Sequence, residues 1–313
     1  MDAVHRQSLP QLGGDLFLTD GGLETFLIFE RDLDLPEFAA FVLLANESGR
    51  TELRDYFTPF LDLAVERGLG FILESPTWRA NPSWAEKIGY GPDELAAANR
   101  QAIELMVELR EVAEAETPVV ISGCVGPEDD GYAPGRTMTA TEACAYHSTQ
   151  VGTFAATDAD MVTAITMTYA EEAIGVARAA AAAAVPAAIA FTVETDGRLP
   201  SGQPLADAVA QVDADPDSEV AYFMINCAHP THFESVVGTG AHWLERVRGL
   251  RANASMMSHA ELDEATELDS GDPADLAARY VGLRELMPRL NVLGGCCGTD
   301  HRHVSAICSA VLN

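Results

Sequence analysis

LNVLGGCCGTDHRHVSAICSAVL, residues 290 to 312, holds the unit from which the rest of the chain is built. Residues 290–297 form an apolar run that closes on glycines and two adjacent cysteines, and residues 300–312 return to helical spacing with Asp300 placed to cap the first turn. A run that is apolar at consecutive positions is the pattern of a strand covered on both faces. The same order of apolar run, polar or reactive end and helix recurs towards the N-terminus. Strands are predicted over 15–22, 70–77, 118–126, 160–167, 186–194, 220–228 and 249–255, with 290–297 the eighth. Helices are predicted over 51–68, 92–116, 139–159, 170–184, 205–215, 231–238, 272–288 and 300–312. Eight such pairs in 313 residues predict an α/β fold, a single (β/α)8 TIM barrel domain over residues 1–313. An open doubly wound sheet is the other arrangement of the same pattern, but no G-x-G-x-x-G turn follows the first run to mark a dinucleotide site.

Composition narrows the function. The 19 basic residues face 48 acidic ones, a net charge of −29, and Lys87 is the only lysine. Such a surface repels nucleic acid and anionic membranes. No apolar stretch is long enough to cross a bilayer, because the alanine-rich tract 177–191 is interrupted by Pro186. The first 15 residues lack the apolar core of a signal peptide, which predicts a cytoplasmic protein; a homo-oligomer is compatible with the sequence. Six cysteines, two of them adjacent, fit reduced thiols kept for chemistry or metal better than a disulfide framework.

In a barrel of this kind the active site gathers at the C-terminal ends of the strands. Those ends carry Asp20, Gly21 and Gly22, then Glu74, Cys124, Thr166, Glu194, Asn226, Cys227, Asn253, Cys296 and Cys297. Neighbouring residues on a strand face opposite sides, so Cys296 and Cys297 serve one site only where the backbone leaves strand geometry; Gly294, Gly295 and Gly298 permit that. Three thiolates with an open fourth position suit a catalytic zinc, and a thiol entering that position would lose its proton. Two buried, inert cysteines or a strained vicinal disulfide remain readings of the pair taken alone.

The motifs LTDGGLET (18–25), PVVISGCVGP (118–127), MINCA (224–228) and VLGGCCGT (292–299) resemble, in order, those of the homocysteine S-methyltransferase family. The resemblance covers nearly the whole chain. It implies a zinc ion (Zn2+) on Cys227, Cys296 and Cys297, with catalysis resting on the thiol activated there. It implies methyl transfer from a small sulfonium or ammonium donor to homocysteine or a related thiol or selenol. It further implies an amino-acid clamp at Asp20, Gly21 and Gly22, in which backbone N–H groups face a carboxylate, Asp20 faces an ammonium, and the glycines leave room for the substrate's approach. Thr166, Glu194 and Asn226 complete the expected substrate contacts. One departure stands out: the family usually has a glutamate before the threonine of the fourth unit, and Ile165 stands there. Either Glu194 or another carboxylate replaces it, or the acceptor lacks a demanding amino group. Glu171 and Glu172, close by, are expected to be solvated.

Further candidates surround these. His229, His232, His301 and His303 follow the cysteines and allow a mixed Cys/His metal set. Cys124 could approach the metal, Trp78 and Tyr169 could face a cationic donor, and the Gly/Pro-rich loop 191–205 could form a lid. Two other functions use the same residues: a non-catalytic zinc or thiol-binding barrel, and a dithiol oxidoreductase built on Cys296 and Cys297.

Overall fold

A computed structural model describes residues 3–113, 117–238 and 240–313. Eight parallel strands close on themselves in chain order. They are β1 (Phe17–Leu18), β2 (Gly70–Glu74), β3 (Val119–Val125), β4 (Met161–Met167), β5 (Ala187–Phe191), β6 (Val220–Asn226), β7 (Val247–Ala252) and β8 (Val292–Gly295). Closure is made by β1, where Phe17 is the partner of both Gly70 and Val292. The outer layer consists of α1 (Leu23–Phe29), α2 (Glu47–Arg67), α3 (Pro82–Lys87), α4 (Pro92–Ala113), α5 (Ala140–Ala155), α6 (Ala170–Ala182), α7 (Leu205–Asp213), α8 (Pro230–Val237), α9 (His259–Glu264), α10 (Pro273–Leu286) and α11 (His301–Leu312). No helix among the described residues is long and apolar enough to cross a membrane.

Each predicted strand and helix is present, with shifted ends. β1 is two residues long because the chain turns off at the glycines, and β7 begins earlier than predicted, at Val247. The last three residues of the predicted helix 92–116 lie outside the described residues. Helices α1, α3 and α9, at six or seven residues, are too short to show a full amphipathic period in sequence.

Alternation along the strands splits the core in two. Phe17, Ile72, Val120, Met161, Ala188, Ala190, Tyr222, Met224 and Val292 fill the barrel interior. Leu18, Phe71, Leu73, Ile121, Val162, Ala164 and Ile189 face the helices. The N-terminal segment adds Leu9 to the interior and anchors Arg6 on the carbonyls of Ala155, Thr157 and Ala159. The same period of two continues to the strand ends. It carries Glu74, Cys124, Ile165, Asn226 and Arg251 inward, and all but Asn226 line the cavity at the C-terminal mouth.

Candidate functional site

The cavity at this mouth has a volume of about 340 Å³. Its sulfur side is made by β6 and β8. Asn226 ends β6 facing inward, so Cys227 on a continued strand would face outward. A left-handed backbone at Cys227, φ 53°, turns it back towards the mouth. Thr166 at the end of β4 is also left-handed, φ 64°. That conformation costs a non-glycine residue about 1–3 kcal/mol and needs support from its surroundings. Asn226 supplies it: its Oδ1 accepts from the Thr166 N–H at 2.9 Å and its Nδ2 donates to Thr166 Oγ1 at 2.9 Å.

After β8 the reversal that presents both cysteines falls at Gly298, φ 77°. Gly294 and Gly295 do not provide it, contrary to the sequence expectation; they are extended, and a Cβ on either would run into the side chain of Thr19 or Thr299. Thr299 donates from its N–H and Oγ1 to the Cys296 carbonyl at 3.1 and 2.7 Å. Close packing also explains Gly22, whose Cβ would lie 2.5 Å from that carbonyl. At Gly21 a Cβ would lie 2.7 Å from the Thr299 carbonyl, so both glycines are required by packing against the β8 turn, whatever approaches from the cavity.

The sulfurs of Cys227, Cys296 and Cys297 lie within 4.8 Å of one another, those of Cys227 and Cys297 at 3.5 Å. Three thiolates on a tetrahedral zinc with Zn–S near 2.3 Å are about 3.8 Å apart, so the trio fits such an ion. Hydrogen bonds from Cys227 and Cys297, with Arg251 adding its charge, hold the Cys296 thiol well below its ordinary range. The sulfur of Cys297 contacts that of Cys227, carried by the next strand but one. Among the described residues no histidine joins the sulfurs. His229 caps α8, His232 bonds the Met256 carbonyl, His303 pairs with Asp300 at the cap of α11, and His301 is exposed.

Two residues that the sequence did not single out complete this side. Tyr132, in the β3–α5 loop, places its hydroxyl 3.1 Å from Cys227 Sγ and 3.6 Å from Cys297 Sγ. It stacks on His259 of α9 at 4.0 Å between ring centroids. His259 Nε2 lies 2.8 Å from the Cys227 carbonyl and its Nδ1 3.0 Å from Glu194. Glu194 is therefore turned to His259 and does not line the cavity. The loop 191–205 is tied into an ordered crossover by the Arg198–Pro204 bridge and also stays off the cavity. The β3–α5 loop covers the mouth instead. It is held from behind by Glu172, which accepts from the Glu128 N–H at 2.7 Å and pairs with His147 at 3.0 Å. Glu172 is thus buried, not solvated as its helical position suggested; Glu171 accepts from Gln211.

The floor is a charge cluster. Asp20 lies 2.8 Å from Arg251 and accepts from the Tyr56 hydroxyl at 3.1 Å. The expected ammonium partner of Asp20 is thus already supplied by the chain's own guanidinium. Burial works against the Arg251 charge, but Asp20 and Glu74 more than offset it and hold its pKa above the ordinary value. Burial pushes Glu74 up to about 7. Cys124, Ile165 and Thr166 line the cavity nearby, and Trp78 donates to the Ile165 carbonyl at 3.3 Å. Tyr169 is buried, accepts from the Met138 N–H at 3.0 Å and lies off the cavity.

Comparison with known proteins gives the fold and the family. Crystal structures of the homocysteine methyltransferase MmuM from Escherichia coli share the fold. The oxidized form has a TM-score of 0.74 at 20% identity, covering 97% of this chain and 98% of that one. The metallated form has a TM-score of 0.68 at 20% identity, covering 94% and 96%. No curated protein sequence matches the chain. The model of the family described as homocysteine S-methyltransferase matches residues 17–311. The chain belongs to the homocysteine S-methyltransferase family and is a methyltransferase.

Proposed function

We propose that this chain is a zinc-dependent S-methyltransferase that moves a methyl group from a small sulfonium or quaternary ammonium donor to homocysteine or a related thiol. The observation that carries this reading is the convergence of Cys227, Cys296 and Cys297 within 4.8 Å at the mouth of the barrel. Zinc held there would lower the pKa of an acceptor thiol at its open position and so supply a nucleophile at neutral pH. The chain's own residues do the rest. Asn226 and His259 fix the β6 turn that presents Cys227, and Arg251 lies close enough to favour the thiolate of Cys296. Gly21 and Gly22 let the β1 turn pack against the β8 turn, and Thr166 borders the acceptor's side of the cavity. Trp78, Phe38 and Tyr132 give the cavity aromatic walls that exclude water and suit a cationic donor. The donor loses its charge as the methyl group leaves, so placement of the two reactants matters more than an oxyanion hole.

The partners in this reading are the two small molecules, with no nucleic acid or membrane, in the cytoplasm, and residues 1–313 serve the one site as a single domain. Metal analysis together with methyl transfer to a thiol panel tests it. The purified protein is expected to carry about one zinc per chain. Alanine at Cys227, Cys296 or Cys297 is expected to remove the metal and lower turnover by more than about a hundredfold, beyond the usual cost of losing a partner outside the ligand set. Alanine at Cys144, which lies on α5 outside the cavity, should change neither. Full zinc retention in all three variants would overturn the reading.

A further inference from the structure

The cavity contains a second buried guanidinium whose partners are incomplete. Arg79 is 7% exposed and is clamped between the rings of Trp84 and Trp78, 3.4 and 4.2 Å from their centroids. Its polar contacts are weak: Nη1 reaches the Asp129 carbonyl at 3.4 Å, Nη2 lies 3.8 Å from Asp130, and Nε has no partner. Burial draws its pKa down to about 10, the reverse of the shift at Arg251. A buried cation left short of acceptors is costly unless something else completes it, and the open space beside it is the cavity.

The carboxylates sort in the same way. Asp20 is committed to Arg251, Glu194 to His259, and Ile165 offers none; Glu37 and Asp263 also line the cavity but are exposed, and Asp130 lies 3.8 Å from Arg79 with its side chain open to solvent. Glu74 faces the floor, within the field of Arg251. Glu24, on the first turn of α1, lines the cavity and has no hydrogen bond from another side chain. Burial pushes it up to about 7, and the charges that act on it include both Cys296 and Arg79. It shares the cavity lining with the sulfur side and with the unsatisfied guanidinium.

We infer that Arg79 and Glu24 form an amino-acid clamp on the cavity wall, with Arg79 taking the carboxylate and Glu24 the ammonium of a thiol-bearing α-amino acid. The acceptor is then a free zwitterion whose sulfur points towards the three cysteines. The clamp replaces, from β1 and β2, the ammonium contact that Ile165 removes from β4. Arg79 suits a carboxylate because its fork offers two parallel donors in a plane already fixed by the indoles.

The inference rests on the methyl-transfer reading for its chemistry but not for its test. L-Norleucine, which has no thiol, is titrated calorimetrically into the protein as purified, alongside hexanoate, which lacks the amino group, and pentylamine, which lacks the carboxylate. Wild-type protein is expected to bind norleucine about tenfold or more tighter than either analogue, the usual worth of a charge-assisted hydrogen bond. Glu24→Gln should bring norleucine and hexanoate level while keeping the discrimination against pentylamine. Arg79→Met should do the opposite, and Arg79→Lys, which keeps the charge but loses the planar fork, should retain part of the preference over pentylamine should the methionine variant fail to fold. Wild-type protein that does not prefer norleucine, variants that discriminate as wild type does, or a variant that weakens all three ligands alike would overturn the clamp. Wild-type protein that binds norleucine with this preference but transfers no methyl group to any thiol of the panel would instead sink the methyl-transfer reading and leave the clamp standing.

Discussion

Arg251 on the floor of the cavity and Arg79 on its wall are equally buried, at 6% and 7% exposure, yet they do different work. Arg251 ends β7 pointing inward, 2.8 Å from Asp20, and its Nε and Nη2 reach the carbonyls of Gly295 and Gly21 at 3.0 Å. It ties the ends of β1, β7 and β8 together across the closure of the barrel. Arg79 follows β2, lies against two indoles and has no acid closer than 3.8 Å. Each guanidinium keeps one nitrogen without a partner, Nη1 of Arg251 and Nε of Arg79, but the one with an acid in contact stabilises the fold, while the one without an acid in contact selects what enters the cavity. Burial alone does not distinguish the two; the partners do.

Removing each guanidinium is the sharpest way to break this comparison. Arg251→Met leaves Asp20 buried without its cation, and chemical denaturation is expected to show a loss of about 3–5 kcal/mol, the range for breaking a buried pair from one side. The Glu74 carboxyl beside it sharpens the contrast through pH. Its folded pKa of about 7 lies above its ordinary value of 4.5, so its contribution is fully present below pH 4.5 and is lost as the pH rises through 7. Glu74→Gln should flatten that slope between pH 5 and 8 by up to about 3 kcal/mol, since one pKa unit corresponds to about 1.4 kcal/mol. Denaturation curves that keep the wild-type slope would show that Glu74 does not titrate against this floor. Arg79→Met is expected to have the smallest effect, no more than about 1 kcal/mol, because the lost stacking is offset by relief of an incompletely paired charge. A loss as large as that of Arg251→Met would place both guanidiniums in the fold and erase the distinction.

The sequence by itself determined the barrel and the sulfur side. A strand covered on both faces must be apolar along its length, so eight short runs such as 118–126 and 160–167 are legible one at a time. Their ends carry the reactive residues because the mouth is where strands stop and side chains meet solvent, and that placed Cys227, Cys296 and Cys297 together before any coordinate was known. The tertiary structure decided which charges are already spent. Asp20 looks like a free carboxylate until barrel closure brings Arg251 beside it; Arg251 Nη2 and the Gly21 carbonyl that it reaches are 230 positions apart in the chain. Glu194 looks available until α9, too short to read, delivers His259. Tyr132 sits in a loop with no period, and the Glu172–Glu128 contact behind it together with the His259 ring stacked on it holds its hydroxyl near the sulfurs. Periodicity is written within ten neighbouring residues, where backbone geometry alone fixes which way side chains face. Charge pairing depends on which strand ends closure brings together, and no local pattern encodes that.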